Sequence, residues 1–189
     1  MAVENIDLGA INAAVLKDFV DLDGRITGAA SLRNEEGIPI LTSRLQVDSL
    51  FVNRTLLGKT VLNAAWNETE EELNVEIVSS DKGVKSLDAS GVYAPSTSLL
   101  DFDLRLNSIE LVTFYPYLES VFDEINGRAS MDLTLDGSPR QPKINGYIHF
   151  DDAAFLVSQT KSAYSFTDRL RIYDNDLFVQ DLKVRDAYG

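Results

Sequence analysis

The sequence predicts a mainly β fold, built as a meander of antiparallel hairpins with one or two short helices. Three observations support this prediction. Apolar residues alternate with polar ones in five separate runs, turn-forming residues stand between these runs, and one hairpin pattern occurs twice. With 189 residues, the chain is long enough to bury a sizeable apolar interior.

The alternating runs are the main evidence for strands. Each run gives a strand with one apolar and one polar face, because successive side chains of a strand point to opposite sides. The intervening segments, near positions 34–37, 67–70, 80–83, 136–139 and 174–176, are rich in Asn, Asp, Ser and Gly, which favour tight turns. The apolar positions of the runs are Leu41, Leu45 and Val47; Leu73, Val75 and Ile77; Leu100, Phe102, Leu104 and Leu106; Met131, Leu133 and Leu135; and Ile144, Ile148 and Phe150.

Two segments have helical spacing of their apolar residues instead. The first is NAAVLKDFVD, with Ala13, Leu16, Phe19 and Val20 on one side, and the second is IELVTFYPYLESVF, which contains Pro116. Proline is accepted in the first turn of a helix, so Pro116 either starts or interrupts the second one. Each predicted helix stands directly before one copy of the repeated hairpin.

The hairpin pattern repeats without a gap at an offset of 103 positions. This register predicts internal repeat units at about 12–55 and 115–158, which would stack so that each unit buries its apolar face against the next. The alternative is that hairpins punctuated by Gly and Pro look alike by chance. The matching pairs are Phe19 and Phe122, Gly24 and Gly127, Arg25 and Arg128, Leu32 and Leu135, Pro39 and Pro142, Leu45 and Ile148, and Asp48 and Asp151.

Composition disfavours some classes of function. Seventeen Lys and Arg against thirty Asp and Glu give a formal charge of −13, which repels nucleic-acid phosphates and anionic bilayers at long range. There is no cysteine, so disulfides and thiolate metal sites are excluded. The start MAVENIDLG lacks the pattern of a secretory signal. The end LKVRDAYG stops directly after a strand pattern, so we expect residues 1–189 to be a fragment of a longer repetitive β domain.

No catalytic, cofactor-binding or metal-binding residues are predicted, and we expect a protein that is not an enzyme. The chain has one histidine and no G-x-S-x-G elbow, and it has no phosphate-cradling glycine loop. His149 alternates with Ile148 and Phe150 and is therefore expected on the polar, solvated face. Carboxylates are abundant at turns, and a carbohydrate-acting enzyme that uses a pair of them is the enzymatic alternative.

The apolar faces predict a surface rather than a site. If successive strands form a bent sheet, their inward rows make an apolar trough, with space beside small residues such as Gly28, Ala30, Ala64, Ala153 and Ala154. The alternative is that helices and neighbouring side chains fill the trough. The predicted lining residues are Leu45, Val47, Val75, Ile77, Phe102, Leu104, Met131, Leu133, Leu135, Ile148 and Phe150.

The second copy combines several features in order. They are Leu118 and Phe122 leading into Asn126-Gly127, the alternating Met131, Leu133 and Leu135, the corner from Asp136 to Pro142, Gly146, and the ending Asp186-Ala187-Tyr188-Gly189. This combination resembles the repeat of the TamB-like proteins (translocation and assembly module), a branch of the AsmA-like family. The first copy matches more loosely, because Ser43 stands where the second copy has Gly146 and its corner is Glu35-Glu36-Gly37.

The resemblance implies a curved antiparallel sheet with an apolar groove, a groove-like β-solenoid called a β-taco. It also implies a periplasmic segment of an inner-membrane-anchored envelope protein of a Gram-negative bacterium. Such proteins act in phospholipid transport between the inner and outer membranes and in outer-membrane protein assembly. The implied partners are phospholipid acyl chains and, through the full-length chain, an outer-membrane barrel protein of the TamA or BamA type. The alternative is a structural or chaperone module that binds outer-membrane protein strands at its sheet edges.

Overall fold

The structure is a computed structural model that describes residues 2–11, 21–35, 38–179 and 184–186. The described residues form one antiparallel sheet of 13 strands, in which nearly every strand pairs with its neighbour along the chain. The predicted class, a mainly β protein with a long curved antiparallel sheet, is confirmed.

The sheet is a meander. Its main path runs β1-β3-β4-β5-β6-β7-β8-β9-β10-β11-β12, while β2 pairs with β4 and β13 pairs with β11. The strands are β1 (Ala2–Asp7), β2 (Leu22–Asp23), β3 (Arg25–Glu35), β4 (Ile38–Val52), β5 (Thr55–Asn67), β6 (Glu72–Asp81), β7 (Val84–Ala94), β8 (Leu99–Glu110), β9 (Phe122–Ser138), β10 (Gln141–Val157), β11 (Ala163–Tyr173), β12 (Asp176–Phe178) and β13 (Arg185–Asp186).

The second predicted helix is present between β8 and β9. A 3₁₀ helix at Leu111–Phe114 continues into the α-helix α2 at Tyr115–Leu118, and together they form what we call the cap helix. Pro116 lies in the first turn of α2, where its missing N–H is tolerated. Most of the first predicted helix, over 13–20, lies outside the described residues. A short helix, α1, spans Leu8–Ile11 just before it.

Bulges interrupt the strand pairing at nearly the same level across the sheet. A bulge adds a residue to one strand and bends it locally. Because these irregularities recur at about the same level in every second strand pair, they form a line of bending that we call the crease. The shifts in register fall between Val3 and Ile6, Val47 and Leu50, Ser79 and Ser80, Leu106 and Ile109, and Phe150 and Ala153.

Contacts across the crease show how strongly the sheet bends. The Ser86 hydroxyl of β7 donates a hydrogen bond to the carbonyl oxygen of Leu57 in β5, past the intervening β6. The cap helix also reaches the β4–β5 turn, because Asn53 Nδ2 donates to the Thr113 carbonyl oxygen at 2.8 Å. In a flat sheet β5 and β8 would lie roughly 14 Å apart. The bend instead places Leu57 of β5 and Ile109 of β8 in one buried cluster.

The two repeat units share one strand register. The register of β1 on β3 and of β3 on β4 recurs in β8, β9 and β10 after a shift of 103 positions, and the bulge of the first strand recurs with it. The pair Val3–Gly28 corresponds to the pair Leu106–Met131. In the same way, Ile6–Ile26 corresponds to Ile109–Ala129, and Ile26–Val47 corresponds to Ala129–Phe150.

Each unit has one glycine at the same structural position. Gly24 and Gly127 adopt φ angles of 142° and 99°, which favour glycine. A Cβ on Gly24 would lie 2.6 Å from the Ser49 carbonyl oxygen, and one on Gly127 would lie 2.3 Å from that of Asp152. Ser49 and Asp152 are themselves 103 positions apart. The close approach of the strands beside the crease therefore requires glycine in each unit.

The buried core follows the crease. One cluster joins α1 to β4, β5 and β8, and a second joins the cap helix to β9 and β10. The core is thus concentrated on one band of the sheet and leaves the outer parts of the strands less covered. The buried members are Leu8, Val47, Leu50, Leu57 and Ile109 in the first cluster, and Leu111, Ile125, Ala129, Met131 and Ala153 in the second.

Candidate functional site: an apolar trough

All eleven predicted lining residues lie on the same face of the sheet. Directly opposed residues of paired strands point to the same side, so the register alone establishes this. We call this side the trough face. Its middle line, the central row, contains Leu45, Leu62, Ile77, Ala89, Leu104 and Leu133, each opposite the next.

Two further rows flank the central row. The crease row lies beside the bulges, and the rim row lies on the other side. Together with Phe150, which is opposite Ala129, the three rows contain every predicted lining residue. The crease row contains Val47, Thr60, Ser79, Leu87, Leu106, Met131 and Ile148, and the rim row contains Ser43, Ala64, Val75, Gly91, Phe102, Leu135 and Ile144.

Apart from Ala64, sequence reasoning missed the contributions of β5 and β7 to these rows. In β5, apolar residues stand on both faces, as in the Val61-Leu62 pair, so the alternation is hidden. In β7 the trough face carries the small residues Ala89 and Gly91. The available signal was the hairpin geometry, because pairing β5 with the clearly alternating β6 places Leu62 opposite Ile77.

Burial is deepest at two positions of the crease row. Val47 and Met131 are buried there, whereas the other large apolar residues of the crease row, and all those of the central and rim rows, are only half-buried. At the far end of β3, Leu32 is 71% exposed. Among the described residues, side chains and helices therefore close part of the trough at the crease and leave the large apolar residues of the central and rim rows half-exposed.

Aromatic rings close the crease between β9, β10 and β11. The ring of Phe155 lies 4.9 Å from that of Phe122 and 5.6 Å from that of Phe166, and Phe150 lies 5.2 Å from Phe166. These rings surround Ala153, which is fully buried. The aromatic cluster gives the trough a solid floor at this end of the sheet.

One polar pair interrupts the crease row. The hydroxyl groups of Thr60 and Ser79 lie 2.7 Å apart, and Thr60 Oγ1 also donates to the Gly58 carbonyl oxygen at 3.3 Å. Both side chains are buried, and each has a hydrogen-bond partner, so the pair does not provide a free polar group for a ligand.

Four of the five small residues predicted along the trough lie on the trough face, and two of these, Ala64 and Ala153, are buried. Gly28, Ala30, Ala64 and Ala153 are on this face. Ala154 is on the opposite face, because it is paired with Asn126 and Ser165 beyond the bulge in β10. The extra residue of the bulge shifts the alternation, and this shift is the reason that the placement of Ala154 was wrong.

The opposite face, which we call the outer face, is mainly polar. His149 is exposed on it, opposite Ser130 on one side and Arg169 on the other. The lowered pKa of Asp123, near the start of β9, has a local cause: Lys161 Nζ donates a hydrogen bond to its carboxylate at 2.6 Å. Among the described residues, no group of three or more His, Asp and Glu side chains is placed to bind a metal ion.

Helices of the described chain are short, and none could cross a membrane. Comparisons of the chain with protein-family models, with curated proteins and with solved structures find no match. The fold and its trough therefore define a class by geometry: an open, creased antiparallel sheet with one apolar face.

Proposed function

We propose that the trough holds phospholipid acyl chains. We further propose that the chain is a periplasmic segment of a TamB-like, inner-membrane-anchored protein. In this role it would serve phospholipid transport between the inner and outer membranes and outer-membrane protein assembly, with a TamA- or BamA-like barrel as partner of the full-length chain. The observation that carries the proposal is the continuity of half-exposed apolar residues across successive strands of the trough face.

The length of the trough suits this cargo. Gly28 of β3 and Ile172 of β11 extend the central row over nine strands, or about 38 Å at the usual strand spacing. One leaflet of a bilayer has an apolar thickness of roughly 15 Å, so the row can hold a whole acyl chain along its length. Each methylene group transferred from water to such a surface gains about 0.8 kcal/mol.

The chemistry of the rows also suits acyl chains. Thr60, Ser79 and Ser43 are the polar residues of the three rows between β4 and β10, and all are buried beside the apolar ones. Acyl chains need a continuous apolar surface and no hydrogen-bond partners, while a charged head group can stay in water at the open rim. This composition supports a conduit for lipid tails rather than a pocket that reads polar groups.

Paired substitutions on neighbouring residues test the proposal. Leu133 points into the trough, and Thr134 points to the outer face of the same strand. Leu133→Arg places a charge on the acyl path and is expected to abolish binding of a fluorescent phosphatidylethanolamine. Thr134→Arg introduces the same side chain outside the trough and should leave binding unchanged. Native mass spectrometry of the purified chain should find phospholipid on the wild type and on Thr134→Arg.

Circular dichroism and a thermal melt establish that both variants are folded. If Leu133→Arg does not fold, Leu133→Ser provides a smaller polar substitution at the same position. Equal lipid binding by folded trough and outer-face variants would refute the assignment of the trough, as would a wild-type chain that binds no phospholipid.

A further inference from the structure

A second surface lies on the outer face, away from the trough. Toward β12 this face carries aromatic and cationic side chains, with Asp132 and Asp176 among them, although the chain as a whole is acidic. We call this surface the arginine–tyrosine patch. It consists of Arg105 of β8, Tyr147 of β10, Arg169, Arg171 and Tyr173 of β11, and Phe178 of β12.

Ring contacts hold the guanidinium groups in place. Arg169 Cζ lies 3.9 Å above the centre of the Tyr147 ring, and Arg171 Cζ lies 5.3 Å from that of Tyr173. Tyr173 in turn packs edge-on against Phe178, with ring centres 6.5 Å apart. Stacking on a ring restricts an arginine while leaving its N–H donors free, so less side-chain entropy is lost when an anion binds.

The patch has unmatched positive charge. Arg105 lies 3.4 Å from the Asp132 carboxylate in an exposed ion pair, whereas Arg169 and Arg171 form no ion pair with a described residue. A shallow depression of about 410 Å³ between Arg105 and Arg169 is also lined by Asp132 and His149. Two arginines, one of them without an ion-pair partner among the described residues, therefore flank a concave surface in a protein whose formal charge is −13.

The aromatic members are unusually exposed for their size. Tyr147, Tyr173 and Phe178 are 40%, 55% and 46% exposed. Arginine, tyrosine and phenylalanine are the residues enriched at protein–protein interfaces, where Arg and Tyr are frequent among the residues that dominate binding energy. A bilayer surface fits less well, because an anionic membrane would repel the net negative charge of the chain. Lipid tails held in the trough lie on the other side of the sheet.

We propose that the arginine–tyrosine patch binds an acidic segment of a partner protein. Carboxylates of the segment pair with Arg169 and Arg171, and its apolar groups pack on the exposed rings of Tyr147, Tyr173 and Phe178. The patch thus docks a protein on the outer face, independently of the cargo in the trough.

Binding of a fluorescein-labelled deca-aspartate peptide to the whole chain, followed by fluorescence anisotropy at low salt, tests this proposal. Arg169→Glu with Arg171→Glu is expected to weaken binding at least about tenfold, or about 1.4 kcal/mol. The matched control is Arg44→Glu with Lys59→Glu. This control changes the net charge of the chain by the same amount as the Arg169 and Arg171 variant. Its substitutions lie on exposed residues of β4 and β5, far from the patch, and should alter the peptide affinity less than about twofold.

Three results would overturn the proposal: no binding of the peptide to the wild type, an equal loss of binding in the two double variants, or binding only to phosphatidylglycerol vesicles. If the Glu variants do not fold, Arg169→Gln with Arg171→Gln removes the charges without reversing them. Lipid binding by the trough should persist in all these variants, so a failure here is distinguishable from a failure of the proposed lipid-carrying function.

Discussion

Replacing Ala153 by Leu is expected to destabilise the fold, and truncating Phe166 in that variant should cost much less than the same truncation costs in the wild type. Ala153 is fully buried on the trough face and lies directly opposite Phe166. The first repeat unit has the reverse arrangement at the equivalent place, with Leu50 opposite Gly58. Each unit therefore combines one large and one small residue at this point of the crease.

The structure gives the size of each effect. Ala153→Leu adds atoms to a closed space and is expected to cost about 2 kcal/mol. Phe166→Ala removes a ring that packs on Phe150 and Phe155, and it should cost about 3 kcal/mol because Phe166 is only half-buried. In the double variant, the new Leu occupies space vacated by the ring. The pair then has about three carbon atoms fewer than the wild type, which corresponds to a total cost of about 2.4 kcal/mol.

The two substitutions should thus be coupled by about 2–3 kcal/mol in a double-mutant cycle. Urea unfolding of the wild type, both single variants and the double variant measures the four free energies. Ala154→Leu is the matched control, because it adds the same atoms on the outer face and should change stability by less than about 1 kcal/mol. Additivity of the two single effects within about 0.5 kcal/mol would refute the packing explanation.

Three further predictions concern the crease and its ends. In Gly127→Ala the new Cβ would lie 2.3 Å from a backbone oxygen, whereas in Gly83→Ala the Cβ meets open space. Gly83→Ala should therefore cost only the about 1 kcal/mol that a positive φ imposes on alanine, and Gly127→Ala should cost clearly more. Equal losses of unfolding free energy in urea would contradict this. Ser79→Ala removes a buried 2.7 Å hydroxyl contact and should cost about 1–2 kcal/mol by the same assay, and an unchanged midpoint would argue against this role. The hydrogen bond from Lys161 lowers the pKa of Asp123 from its ordinary value of 3.8, so its stabilisation is present above that pH and is lost as pH falls through the lowered pKa. Lys161→Ala should therefore raise the Asp123 pKa toward 3.8, and an unshifted carboxyl ¹³C titration would exclude this cause.

Local patterns in the sequence were sufficient to predict the strand class, the orientation of five strands and the cap helix. Alternation assigns Leu104 to one face and Arg105 to the other because adjacent side chains of a strand point apart, and this relation needs no partner strand. The eleven predicted trough residues were assigned by this rule, and all of them precede the register shift of their strand or, in β9, follow Gly127.

Tertiary structure decided what local alternation does not specify. Bulges determine where each strand changes face, and the misassigned Ala154 lies just beyond one of them. The closed floor of the trough depends on contacts such as that between Asn53 and Thr113, which are 60 positions apart. The arginine–tyrosine patch arises because the register of β10 on β11 brings Arg169 over Tyr147. Sequence alone fixed the chemistry of each face, whereas long-range pairing and bending determined which part of the apolar face is buried and which part stays open.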